Sequence, residues 1–156
     1  MITTGSTRGN NSTLQFLQIF LQPASTVSSR ELSHLVQKIF PPRMFSALAG
    51  FLEPGETIED AVIREVKEEV GLNVTSVEYK FTQPWPFPSQ LMIACFCQTD
   101  GDTTDLDQDE IEDTVWLSRE DLNRIFVGKS PDRIWIPPAM AVAPVSYTHL
   151  TLPTKA

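Results

Sequence analysis

Glu65, Glu68 and Glu69 stand within five residues, directly behind Arg64 and just ahead of Gly71. Thr57 followed by Asp60 makes a capping box, so a helix should begin near Ile58, and Gly71 supplies a left-handed stop. In that frame Ile58, Ala61, Val62, Val66 and Val70 fall on one face, which reads as a core face. Glu65 and Glu69 project from the same apolar arc, one turn apart, and Glu68 flanks it. A carboxylate on a buried face must be paired, protonated or bound to a cation. Arg64 sits on the side of Glu68 at i,i+4 spacing and can orient it. One guanidinium cannot neutralise three carboxylates. A hard divalent cation with oxygen ligands, Mg²⁺ or Mn²⁺, resolves the repulsion. Gly50 and Gly55 let the preceding loop bend back over the site. The bland alternative, a solvated acidic helix, fails because the acids share the apolar face.

The whole segment from Gly50 to Leu72, GFLEPGETIEDAVIREVKEEVGL, fits the pattern G-x5-E-x7-R-E-U-x-E-E-x-G-U. The fixed places are Gly50, Glu56, Arg64, Glu65, Val66, Glu68, Glu69, Gly71 and Leu72. It resembles the Nudix box, the loop–helix–loop metal site of enzymes that hydrolyse nucleoside diphosphates linked to another moiety. The resemblance implies an α+β fold, an α/β/α sandwich with a mixed β-sheet. It further implies Glu65 and Glu69 as metal ligands, completed by Glu110 in DEIEDTVW and the backbone carbonyl of Ala49. Glu68 is then a ligand or the general base, and Arg64 orients the glutamates.

Eleven residues past the box comes Gln83-Pro84-Trp85-Pro86-Phe87-Pro88-Ser89-Gln90. Three alternating prolines cannot donate to a sheet ladder, so the stretch should be a stiff, extended edge or loop. Trp85 and Phe87 offer flat faces that can stack on a base or pack in a core. By resemblance, the core Q-P-W-P-F-P belongs to the NADH pyrophosphatase subfamily. Thr82 stands where that signature begins with Ser, and its final pair is altered. The array is thereby implied to line a dinucleotide site from Gln83 to Gln90, with Ala143 as a further backbone contact. The implied reaction cleaves NADH or NAD to AMP and nicotinamide mononucleotide. Removal of an NAD cap from RNA is a close variant. The alternatives are ADP-ribose or another nucleotide as substrate, and a noncatalytic nucleotide-binding module. The intact proline array disfavours the first, and the full set of box glutamates disfavours the second.

At 156 residues the chain is long enough for one domain with a real core. Its net charge of −8 argues against broad nonspecific nucleic-acid binding. It does not oppose an anionic substrate, because bound divalent cations reverse the local field. Cys95 and Cys97 share one face of an apolar strand and read as buried free thiols. No Cys spacing suits a metal, and no stretch is long enough to span a membrane. The acidic stretch Asp100 to Asp113 lacks the glycine and spacing of a calcium loop, and reads as a solvated loop apart from Glu110.

The expected organisation is an atypical N-terminal segment over 1–39, a Nudix domain over 40–143 and a non-family tail over 144–156. Residues 1–30 contain no Asp or Glu and are rich in Ser and Thr, partly disordered or transit-like in composition. On that basis the compartment stays open between mitochondrial and cytoplasmic. Arg30 to Ile39 can form a short helix or strand, and Met44 to Ala49 reads as a buried strand. Strands are expected at Val74–Phe81, Leu91–Gln98 and Thr114–Leu117. Ser118 with Asp121 caps a second helix to about Phe126. Strands mixed with two helices suggest a sheet with a helix on each face. The usual N-terminal domain and four-cysteine zinc ribbon of the resembled subfamily have no counterpart, so no zinc is expected. The chain reads as an N-terminally truncated member, and a homodimer is implied by resemblance alone.

Overall fold

The computed structural model describes residues 14–23, 31–37, 42–86, 89–102, 104–130 and 133–136. Six strands and two helices follow in the order β1 (Leu14–Pro23), β2 (Glu31–Gln37), β3 (Leu48–Phe51), α1 (Ile58–Val70), β4 (Val74–Trp85), β5 (Gln90–Thr99), β6 (Ile111–Ser118) and α2 (Arg119–Phe126). The larger sheet runs β3-β1-β5-β4 and the smaller pairs β2 with β6. β1 is parallel to β5 and antiparallel to β3, while β4 is antiparallel to β5, so the sheet is mixed.

Strand alternation divides the core into two layers. On one face, Leu17, Ile19, Leu21, Ile93, Cys95 and Cys97 pack with Ala61, Val62, Val66 and Val70 of α1. On the other, Phe20 and Ala94 pack with Phe45, Leu122 and Ile125, so α2 covers that side. One helix per face is the expected α/β/α sandwich.

β1 and β2 both lie inside residues 1–39, the stretch set apart on composition. β1 is the inner strand between β3 and β5, and Leu17, Ile19, Phe20 and Leu21 are at most 1% exposed. A strand covered on both faces has no room for acids, which accounts for the apolar Leu17, Ile19, Phe20 and Leu21. The Arg30–Ile39 ambiguity resolves as strand β2, paired with β6 from Glu31 to Gln37. β3 is shorter than expected: Met44 makes a single bridge to Trp135, and the ladder starts only at Leu48.

β4 extends four residues beyond Phe81, to Trp85, and carries the first proline of the array. It can do so because β4 is an edge strand, where a missing donor costs no ladder bond on the outer side. The register shifts between Tyr79 and Phe81, leaving Lys80 as an extra residue. That bulge reverses the strand's sidedness. Val77 packs in the α1 layer, whereas Phe81 packs in the α2 layer.

Candidate functional site

Both ends of α1 form as the residues dictate. The Thr57 side chain accepts the Asp60 N–H at 3.1 Å, and Gly71 ends the helix at φ 71°. With those limits fixed, Glu65 and Glu69 share the buried stripe with Val62, Val66 and Val70; they are 9% and 6% exposed. Glu68 flanks the stripe with a mostly exposed side chain. A cavity of about 600 Å³ opens over this helix, lined by Gly50, Phe51, Arg64, Glu65, Glu68, Glu69, Asp107 and Glu110.

Arg64 holds the front of the cavity, through a partner that helical spacing does not reveal. Its Nε and Nη2 donate to the two carboxylate oxygens of Glu56, each at 2.9 Å, a bidentate clamp from the preceding loop. Nη1 donates to Glu65 Oε1 at 2.9 Å, and Nη2 to the Phe51 carbonyl at 3.1 Å. The anticipated contact with Glu68 exists but is the longest of the set, at 3.4 Å. The Arg64 hydrogen bond holds the Glu56 carboxyl below its ordinary range, and Glu56 in turn pushes Arg64 further up. Glu65 also accepts the Phe51 N–H at 3.2 Å. Gly50 is needed for this approach: a Cβ there would lie 2.1 Å from Glu65 Cδ.

The back of the cavity comes from the acidic stretch expected, Glu110 apart, to be a solvated loop. The Asp105 and Asp107 N–H groups donate to the Val70 and Glu69 carbonyls at 2.9 and 3.0 Å, satisfying the open end of α1. Gly71 is again the permissive residue, since a Cβ there would lie 2.9 Å from Asp105 Cβ. Thus anchored, the loop brings Asp107 and Glu110 to the cavity.

Glu69 carries the electrostatic cost. Burial, then the charges of Glu65 and Glu110, push its carboxyl up to about 8. Its Oε2 is buried with no hydrogen-bond partner. A buried oxygen without a donor, facing a cavity walled by further carboxylates, fits a hard cation, and the oxygen-only donor set fits Mg²⁺ or Mn²⁺ better than a softer metal. Among the described residues, no three acidic, histidine or cysteine side chains are drawn tightly enough together to clasp an ion.

The structure therefore brings Arg64, Glu65, Glu68, Glu69 and Glu110 to one cavity. Ala49 lies beside it in β3, paired with Gln18, but is not among the lining residues. No described residue from Gln83 to Gln90 lines the cavity either. Gln83 pairs with Met92, Pro84 with Leu91 and Trp85 with Gln90 at the far end of the β4–β5 ladder. Phe87, Pro88 and Ala143 lie outside the described residues. Sequence reasoning did not assign a role to Glu56, Phe51 or Asp107. Glu56 was visible as a fixed place of the box. Phe51, a residue 45% exposed at the cavity wall, gave no signal beyond following Gly50. Cys95 and Cys97 are buried and unbridged as expected, and burial pushes the Cys95 thiol up to about 11. Among the described residues, no helix is long and apolar enough to cross a membrane.

Comparison with known proteins adds the context. The NUDIX domain family matches residues 27–138. The human "NAD-capped RNA hydrolase NUDT12" is 49% identical over 113 residues, 72% of this chain and 24% of that protein. The human "NAD(P)H pyrophosphatase NUDT13, mitochondrial" is 39% identical over 69% of this chain and 34% of its own length. "NAD-capped RNA hydrolase NudC" of Chromobacterium violaceum is 51% identical over 50% of this chain and 29% of its length. The chain thus spans between a quarter and a third of these relatives. Among solved structures, a NUDIX-family hydrolase from Clostridium perfringens superposes with a TM-score of 0.64 at 20% identity, covering 88% of this chain and 95% of the other. The NUDIX domain of Shewanella oneidensis NrtR, complexed with ADP ribose, gives 0.61 at 12% identity, over 78% of this chain and 82% of the other. At such identities these two likenesses speak for the fold alone.

Proposed function

The chain belongs to the NUDIX family, and from that premise we propose that its acidic cavity hydrolyses the pyrophosphate bond of NADH or NAD, releasing AMP and the nicotinamide mononucleotide. The observation that carries the reading is Glu69: nine-tenths buried, its Oε2 without a partner, in a cavity shared with Glu65, Glu68 and Glu110. The dinucleotide class is supported by the Q-P-W-P-F-P array and by the relatives, whose names specify NAD-capped RNA or NAD(P)H.

Glu65, Glu69 and Glu110 would hold Mg²⁺ or Mn²⁺, with the Ala49 carbonyl as a further ligand. When bound, such an ion neutralises charge on the phosphate oxygens and lowers the pKa of the attacking water. Arg64, clamped by Glu56, fixes the Glu65 carboxylate from the front. Glu68 makes only the long contact to Arg64 and has a largely exposed carboxylate, so it is the residue free to take the proton from water. The water oxygen bonds to one phosphorus, the bridging P–O bond breaks, and the bridging oxygen leaves with the other nucleotide. Phe51 offers a half-exposed ring at the cavity wall for a base to rest on. Gln83 to Gln90 and Ala143 remain the proposed dinucleotide contacts beyond the cavity. The same bond is broken when the substrate is an NAD cap on RNA, and the relatives named for that activity make it the second substrate to test.

The deciding experiment incubates the purified chain with NADH and Mn²⁺ or Mg²⁺ and follows AMP by chromatography, with an EDTA control. EDTA-sensitive AMP release is expected. No AMP from a chain shown to be folded by circular dichroism would refute the assignment.

A further inference from the structure

Asp107 stands in the cavity wall and has no part in the chemistry described so far. Its backbone is fully employed. The N–H donates to the Glu69 carbonyl at 3.0 Å, and the carbonyl accepts the Glu110 and Ile111 N–H groups at 3.1 and 2.8 Å. One carboxylate oxygen, Oδ1, accepts the Asp109 N–H at 2.9 Å. This aspartate therefore starts the turn that ends at Glu110, and ties that turn to the last turn of α1 beside Glu69.

A turn of this kind needs only an acceptor at Oδ1. Asn supplies one equally well, without charge. The negative charge is a separate feature, and for a purely structural residue it is a poor choice. It adds to a cavity already containing Glu65, Glu68, Glu69 and Glu110. The partnerless Oε2 of Glu69, a residue 6% exposed, independently marks the same cavity as facing a cation.

We propose that Asp107 is a further cation-site residue: Oδ1 holds the turn that positions Glu110, while the carboxylate charge acts on the divalent cation directly or through a bound water. This rests on the cation-pocket reading above. It assigns a second job to the loop after β5, which both seats Glu110 and supplies charge of its own. Carboxylates just outside the ligand set are known to matter on this scale, typically ten- to a hundred-fold in metal affinity.

The test titrates Mn²⁺ alone into the full chain by calorimetry, with no nucleotide, for wild type, Asp107→Asn, Asp107→Ala and Glu69→Gln. Melting temperatures in EDTA are recorded alongside. Asp107→Asn keeps the turn acceptor and removes only the charge. It should match or exceed wild type in EDTA melting temperature, yet bind Mn²⁺ about tenfold more weakly. Asp107→Ala should lose both affinity and melting temperature. Asp107→Asn binding Mn²⁺ within twofold of wild type, while Asp107→Ala fails, would reduce Asp107 to a turn residue and overturn the proposal. Wild-type affinity retained in Glu69→Gln would instead sink the cation-pocket reading, and this proposal with it.

Discussion

Glu69→Gln should stabilise the cation-free protein while disabling it. Burial and the neighbouring Glu65 and Glu110 raise the Glu69 carboxyl from 4.5 to about 8. A group whose folded pKa is raised contributes stability that is complete below the unfolded value and is lost as pH rises through the folded value. For Glu69 that window runs from about pH 4.5 to about pH 8. At pH 7 the roughly 2.5 decades above the ordinary value correspond to ~3 kcal/mol, an upper figure because the cavity opens to water. Gln has the same shape and no charge to bury, so the variant escapes this cost. In EDTA at pH 7 it should melt above wild type by up to roughly 6–12 °C for a domain of this size. At pH 5 the two should nearly coincide. Saturating Mn²⁺ should reverse the order, since a cation favours the ionised carboxylate that only wild type has, and its binding should release close to one proton at pH 7. The assay is differential scanning fluorimetry from pH 5 to 9, with EDTA or Mn²⁺. A wild type whose EDTA melting temperature is flat between pH 5 and 8, or a variant less stable than wild type at pH 7, would refute the reasoning.

Two further outcomes follow from the front of the cavity. Gly50→Ala should weaken Mn²⁺ binding more than tenfold, because its Cβ would collide with the Glu65 carboxyl; Gly101→Ala, with nothing within 4 Å, should leave it unchanged in the same titration. Arg64→Lys retains the charge but loses the bidentate clamp on Glu56. It should lower kcat at least tenfold with a smaller change in KM, and equal kcat in steady-state kinetics would contradict an orienting role.

How far the sequence could be read depended on how local each interaction is. The limits of α1 and α2 were legible because Thr57, Asp60, Gly71, Ser118 and Asp121 act within one turn of their own helix. The acidic stripe was legible for the same reason, since helical period alone places Glu65 and Glu69 beside Val66 and Val70. The Arg64–Glu56 clamp was not, because it reaches back eight residues across a loop and i,i+4 reasoning favours Glu68. β1 was missed because its composition was judged alone. Its inner position in the sheet depends on β3 and β5, more than twenty and seventy residues away. The reversal of β4 at Lys80 is likewise invisible to a simple alternation, which predicts Val77 and Phe81 on the same side. Asp107 looked like one more acid in a solvated loop because its anchor, the carbonyl of Glu69, belongs to another element.

The cavity and the core are built on one helix, and this couples them energetically. Val62, Val66 and Val70 are fully buried against β1 and β5, which fixes the rotation of α1 about its own axis. With the rotation fixed, Glu65 and Glu69 have nowhere to turn, and in the cation-free protein Glu69 keeps its proton at neutral pH, at the cost worked out above. Most of the offset comes from contacts that surround the carboxylates without discharging them all. Arg64 satisfies Glu65 and Glu56, Gly50 gives Glu65 room, and the loop after β5 seals the helix end while adding Asp107 and Glu110 to the same negative wall. A protein selected only for stability would replace Glu69 by an apolar residue. The sequence instead gathers five carboxylates around a single arginine, where a hard divalent ion can complete the set.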